Sequence, residues 1–301
     1  MKKVLKGIGI VLGLLVGLAL AAGLVLFIVG NGRLNRTYDF SPSNISIPTD
    51  EASIAYGKHR AEILCEGCHG ADLGGVNDWF SAGPLGTIDS ANLTSGEGGF
   101  GREATSDEDY VRAIRHGIDP QGKPIFMPAV ISGANLSDED LGAIIAYVKS
   151  VPPVDHATTG QHFTPLTKIM LAAGMLGNLP VEAVGHEVHV TAPARGVTAD
   201  YGGYLVSTND CHVCHGPQLN GAPFPDPTIK VISPNITPGG EVGFWSEDQF
   251  VNTLRTGVTP GGHELNPDLM PWKDYSKMSD DELQAIYMYL QTLPKLQQYT
   301  K

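Results

Sequence analysis

All four cysteines of this 301-residue chain fall in two copies of one five-residue pattern, Cys65-Glu66-Gly67-Cys68-His69 and Cys211-His212-Val213-Cys214-His215. A structural zinc site also uses Cys-x-x-Cys pairs, but with about 12 to 20 residues between them. Here Cys68 and Cys211 stand 143 positions apart. A thioredoxin-like redox pair needs a strand-helix-strand setting and has no use for a histidine directly after the second cysteine, and neither has a structural disulfide. The repeated histidine leaves the attachment signature of c-type haem. Each thiol can add across a porphyrin vinyl group, and the adjoining imidazole is placed to ligate the iron from the proximal side. The expectation is two covalently bound c-type haems on Cys65, Cys68, Cys211 and Cys214, with His69 and His215 as axial ligands.

The signature belongs to a longer repeat at an offset near 146. Tyr56-Gly57 and Tyr201-Gly202 stand nine or ten residues before the first cysteine of each copy, and Asn92-Leu93-Thr94 answers Asn235-Ile236-Thr237. Ser106 to Ile118 parallels Ser246 to Val258, and Leu136 to Val151 parallels Met278 to Leu293. Ser106-x-x-Asp109, Ser137-x-x-Asp140, Ser246-x-x-Gln249 and Ser279-x-x-Glu282 read as helix-starting capping boxes. Leu141, Ile144, Ile145 and Val148 lie at i, i+3, i+4 and i+7, as do Leu283, Ile286, Tyr287 and Leu290, and Pro152 and Pro294 mark the helix ends. The spacing predicts a mainly α fold with one haem module used twice. The chain divides into an anchor at 1–32, a first domain at 33–154, an inter-domain segment at 155–199 and a second domain at 200–301.

Met127-Pro128 and Met270-Pro271 follow His69 and His215 by 58 and 55 residues. A thioether opposite histidine is the ligation of electron-carrying cytochromes, whereas a packing methionine has no need to recur with a proline behind it. Met127 and Met270 are the expected distal ligands; His116, His186 and His263 have no repeat partner. Arg115 and Arg255 share a helix position and could hold a haem propionate, with a solvated helix residue as the competing reading. Asn92 and Asn235 formally match glycosylation acceptors, but paired loop anchoring is the expectation.

Lys2, Lys3 and Lys6 precede a charge-free stretch from Ile8 to Val29, whose 22 residues span about 33 Å as a helix, enough for a bilayer core. A cleaved signal peptide is the alternative, yet the apolar run continues past the small-residue site at Ala19-Leu20-Ala21. A retained single-pass anchor is expected, with the N-terminus cytoplasmic and everything after it on the extracytoplasmic side of the cell membrane. The chain carries −12 overall and −15 beyond its first 32 residues, which argues against nucleic acid as a partner. Between the modules, residues 164–179 are apolar apart from Lys168 and too short to span a bilayer. A buried linker helix, a partner contact and an interfacial helix all remain open for them.

The signatures, the Asn235-Ile236-Thr237-Pro238 loop, residues 245–258, the Met-Pro loops and residues 278–294 together resemble the bacterial membrane-anchored dihaem cytochromes c. They are similar also to the cytochrome subunits of periplasmic alcohol and gluconate dehydrogenases, which usually carry three haem modules where this chain has two. The resemblance covers nearly everything after Ala52. It implies tandem class I cytochrome c domains and one-electron transfer to and from a redox protein or membrane oxidoreductase complex, with no catalytic residue. A dihaem peroxidase would need an open sixth iron position, which paired methionines argue against, and thiosulfate-oxidising dihaem proteins would need a fifth cysteine.

Overall fold

In the computed structural model, which describes residues 2–104, 106–226 and 229–300, the charge-free run lies within one 33-residue helix, α1 (Lys2–Leu34). It is long and apolar enough to cross a membrane, and it is bare of neighbours from Lys2 to Ala22. The first module follows as α2 (Glu51–Leu64), α3 (Glu66–His69), β1 (Val76–Ser81), β2 (Gly86–Ser90), α4 (Phe100–Glu103), α5 (Asp107–Val111, prolonged by a π-helical turn to His116), α6 (Val130–Gly133) and α7 (Asp138–Ser150). The segment between modules forms β3 (Gln161–Phe163), α8 (Pro165–Ala172) and α9 (Pro180–Ala183). The second module is α10 (Ala199–Thr208), α11 (Cys211–His215), α12 (Glu247–Thr256), α13 (Trp272–Tyr275) and α14 (Asp280–Thr292).

Each module is built on one helix crossing. α2 packs on α7 and α10 on α14, and the repeated glycines make the contact close. A Cβ on Gly57 would overlap the Ala143 carbonyl, and one on Gly202 the Ala285 carbonyl. The helical stripes read from the sequence face these crossings: Leu141, Ile144, Ile145, Val148, Leu283, Ile286 and Leu290 are buried, and Tyr287 is half-buried. Each fully buried aliphatic side chain contributes about 1.5–3 kcal/mol. α7 and α14 stop at Ser150 and Thr292, two residues short of Pro152 and Pro294, because a proline disfavours the helical conformation in the residue before it.

One element has no counterpart in the sequence reading. β1, β2 and β3 pair antiparallel into a small sheet, with Phe80 opposite Ile88 and Gly86 opposite Phe163. All six residues of β1 are exposed, so no apolar-polar alternation announces the strand.

The modules meet reciprocally, as a two-fold pairing of like units requires. From the first module, His59 Nε2 lies 2.7 Å from Glu282 Oε2 on α14. From the second, the Tyr204 hydroxyl, in the matching place on α10, donates to Asp140 Oδ2 at 2.8 Å on α7. The same hydroxyl accepts the Ser137 backbone N–H at 3.0 Å. At Ser137 the expected capping box is therefore half-formed: Ser137 Oγ caps the Asp140 N–H at 3.1 Å, but Asp140 has turned to the interface. Ser246 and Ser279 carry complete boxes. Arg60 is sealed between the modules with no exposure, its Nη1 3.7 Å from Glu282.

Candidate haem sites

α2 delivers Cys65 at its end, and α3 winds Cys68 and His69 onto one turn; α10 and α11 do the same for Cys211, Cys214 and His215. None of the four thiols is in a disulfide. Burial pushes the Cys65 and Cys211 thiols up to about 12 and Cys68 to about 11, so all three are protonated at neutral pH. His69 Nδ1 lies 2.7 Å from the Ala91 carbonyl, and His215 Nδ1 lies 2.8 Å from the Pro234 carbonyl. A carbonyl only accepts, so each Nδ1 carries the proton and each Nε2 keeps its lone pair for a metal. Burial also lowers both imidazole pKa values, which favours this neutral form.

The two carbonyls come from the residues just before Asn92 and Asn235, whose loops are anchored identically. Asn92 Nδ2 donates to the Val154 carbonyl at 2.7 Å, and Asn235 Nδ2 to the Leu296 carbonyl at 2.8 Å. Each Oδ1 accepts from the N–H and hydroxyl of the threonine two residues on. Both asparagines are buried, so the glycosylation reading gives way to loop anchoring. The role of Ala91 and Pro234 escaped sequence reasoning because a backbone acceptor leaves no residue signal; their place before a repeated Asn-x-Thr was the only clue.

Met127 and Met270 are half-buried in the loops ahead of α6 and α13. Both loops open with the same bond, Ile125 N–H to the Gly117 carbonyl at 2.8 Å and Leu265 N–H to the Gly257 carbonyl at 2.7 Å. Gly117 and Gly257 take the left-handed conformation that ends the preceding helix, with φ +71° in both. The second loop then inserts a turn at Asn266, whose carbonyl accepts the Met270 N–H at 2.9 Å. That turn accounts for the extra residues before Met270.

The propionate expectation for Arg115 and Arg255 meets a different arrangement. Arg115 Nη2 bonds Asp138 Oδ1 and the Leu136 carbonyl, both at 2.9 Å, and Nη1 bonds the Val188 carbonyl at 3.0 Å. Arg255 bonds Asp280 at 2.6 Å and the Ser276 carbonyl. Each guanidinium bonds the first residue of the closing helix and a nearby carbonyl through its Nη atoms, because that carboxylate stands one loop away in both modules, while Arg115 Nε is buried without a partner. His116 and His186 meet each other, Nδ1 to Nδ1 at 3.1 Å, with Phe40 stacked on His186 at 3.9 Å. Burial holds His116 down to about 4, and its Nε2 is enclosed without a partner. His263 is exposed.

The donor set fits a c-type haem in each module: two unpaired thiols and an imidazole with its Nε2 free. Two family models match these stretches, "Cytochrome C oxidase, cbb3-type, subunit III" over residues 52–148 and "Cytochrome c" over 199–294. The chain is a tandem of two cytochrome c domains. Among similar proteins, the fructose dehydrogenase cytochrome subunit of Gluconobacter japonicus is 26% identical over 92% of this chain and 59% of its own length. The alcohol dehydrogenase (quinone) cytochrome c subunit of Gluconobacter oxydans is 28% identical over 81% of this chain and 55% of its own. A "Diheme cytochrome c-type" of Cereibacter sphaeroides is 26% identical over 93% and 99%. The chain thus spans little more than half the length of the two dehydrogenase subunits. Cytochrome c domains are electron-transfer modules, and two of them account for two c-type haems.

Proposed function

We propose that this chain is a membrane-anchored dihaem cytochrome that passes single electrons between redox partners on the extracytoplasmic side, with domains at 33–154 and 200–301. In this reading Cys65, Cys68, Cys211 and Cys214 attach the haems, His69 and His215 are proximal ligands, and Met127 and Met270 are distal ligands. The carrying observation is the matched pair of imidazoles, each tied through Nδ1 to a loop carbonyl so that Nε2 is presented and cannot swing away. When bound, haem supplies the one-electron chemistry, its iron cycling between ferric and ferrous states. The protein's own work is to hold one tautomer, to surround the thiols with apolar side chains and to keep water out. The enclosed Nε2 of His116 favours Met127 over that histidine in the first module.

Both signature turns lie at the interface between domains, which suits a path through two haems. Gly67 abuts the Asp274 carboxylate, Lys277 bridges Glu66 and Asp274 at 3.2 Å each, and Ile63 of the first domain joins the second domain's core, against which Cys211 packs. A 33-residue helix with a bare apolar surface supports the anchor.

A second reading, in which the chain is the fixed cytochrome subunit of a larger membrane dehydrogenase, is favoured by the names of its relatives. Mild-detergent purification from native membranes separates the two: solitary recovery supports a tethered shuttle, whereas a stoichiometric dehydrogenase subunit supports the complex. Acidified acetone should leave two haems per chain on the polypeptide. Extraction of the pigment would sink the covalent assignment.

A further inference from the structure

Past Ala22, α1 is covered along one face only. Gly23, Leu26, Phe27 and Gly30, at i, i+3, i+4 and i+7, are half-buried or buried. The cover includes α8, which packs along this stretch. The Lys168 carbonyl occupies the place of a Cβ on Gly30, the Lys168 ammonium reaches Asn31 Oδ1 at 2.8 Å and stands 5.3 Å from the centre of the Phe27 ring, and Arg33 Nη1 donates to the Leu171 carbonyl at 2.7 Å. These pairings advance together along both helices, so the start of α8 points toward the membrane-spanning part of α1. The turn between β1 and β2 is held to that same end. The Thr164 N–H donates to the Leu85 carbonyl at 3.1 Å, its hydroxyl to the Pro84 carbonyl at 2.8 Å, and the Thr167 hydroxyl also bonds Leu85.

This corner of the first domain is chemically unlike the rest. Residues 79–88 and 157–167 contain no Asp, Glu, Lys or Arg, in a chain at −15 beyond its first 32 residues. Trp79 and Phe80 are each 37% exposed and Leu166 44%. From Gly23, where cover begins, to Val29, where the charge-free run ends, the helix rises about 9 Å. An element lying in a membrane surface sits about 5–10 Å into the headgroup and acyl boundary, and tryptophan favours that level.

We propose that the β1–β2 turn and the start of α8 form a foot seated in the headgroup and acyl boundary of the leaflet from which α1 emerges. The foot rests on the anchor reading and extends it: the first cytochrome c domain stands on the bilayer at a fixed height instead of swinging on a free tether. Lipid is the occupant because the uncharged surface continues directly from a helix already long and apolar enough to span a membrane.

The test is photolabelling of the dihaem protein in nanodiscs whose phospholipid carries a diazirine near the glycerol end of one acyl chain, with adducts mapped by mass spectrometry. Adducts on α1 and also on peptides covering 79–88 and 163–168 are expected, with none around Phe244, which is 86% exposed but lies in the second domain. Labelling of α1 alone would overturn the foot and leave the anchor standing, and is also the result if another subunit covers this surface. An unlabelled α1 would remove the anchor and the foot with it. In a Trp79→Glu, Leu166→Glu variant the foot adducts should disappear while those on α1 persist; their persistence at the foot would overturn the proposal.

Discussion

At the scale of single residues, the two domains hold their imidazoles through one device, a backbone carbonyl fixed by a buried asparagine. Removing that asparagine releases the Val154 or Leu296 carbonyl and the threonine two residues on. Stranding buried polar groups costs about 1–3 kcal/mol each. Asn235→Ala should therefore lower the thermal midpoint of the dihaem protein, and the axial ligation of the second haem should become the easier of the two to disrupt with exogenous imidazole. An unchanged midpoint would mean that the loop is held elsewhere. The methionines allow a sharper check. Met127→Ala and Met270→Ala should each abolish about half of the far-red thioether-to-iron charge-transfer absorption and lower one of the two reduction potentials. A variant whose spectrum is unaltered takes that methionine off the ligand set.

At the scale of elements, Gly57 and Gly202 are the points where the haem-bearing helix touches the closing helix most closely. Gly57→Ala or Gly202→Ala would gain helix propensity of about 1 kcal/mol in isolation, but the methyl group meets a carbonyl that belongs to the opposing backbone. Overpacking of that kind costs about 1–3 kcal/mol, so both variants should unfold at lower denaturant concentration than the parent. Much of this architecture was legible beforehand, because the helical stripes at 141–148 and 283–290 and the serine caps are local patterns carried twice. The sheet was not, since β1 is exposed throughout and β3, which pairs with β2, comes from the unrepeated segment some 70 residues on. The half-formed box at Ser137 escaped for the same physical reason: the acceptor that replaces Asp140 there is Tyr204, 67 residues away in sequence. Arg115 and Arg255 share their position and their carboxylate partners, Asp138 and Asp280, which position alone did not reveal.

At the scale of the whole molecule, the Glu282 carboxylate strengthens the contact between the two domains. Burial alone would raise this carboxyl, but the His59 ring, the Ser279 N–H and the Arg60 guanidinium together hold it below the ordinary value of 4.5. A depressed acid stabilises the fold fully above its unfolded value and ceases to do so as pH falls through its folded value. The interface should thus be at full strength above pH 4.5 and weaken below it, as protonated Glu282 removes one of the two carboxylates that face the buried Arg60, leaving Asp140. Glu282→Gln produces that neutral state at every pH, and removing one partner of a buried pair costs about 3–5 kcal/mol. Its thermal midpoint should be lower than the parent's at pH 7, and the gap should narrow as both approach pH 4. Because the signature turns carrying Cys68 and Cys211 lie against this interface, electron exchange between the two haems should slow in the variant even where both remain bound. Pulse radiolysis with one haem pre-reduced would read that rate, and an unaltered rate beside a lowered midpoint would show that the haems communicate without help from the Arg60–Glu282 contact.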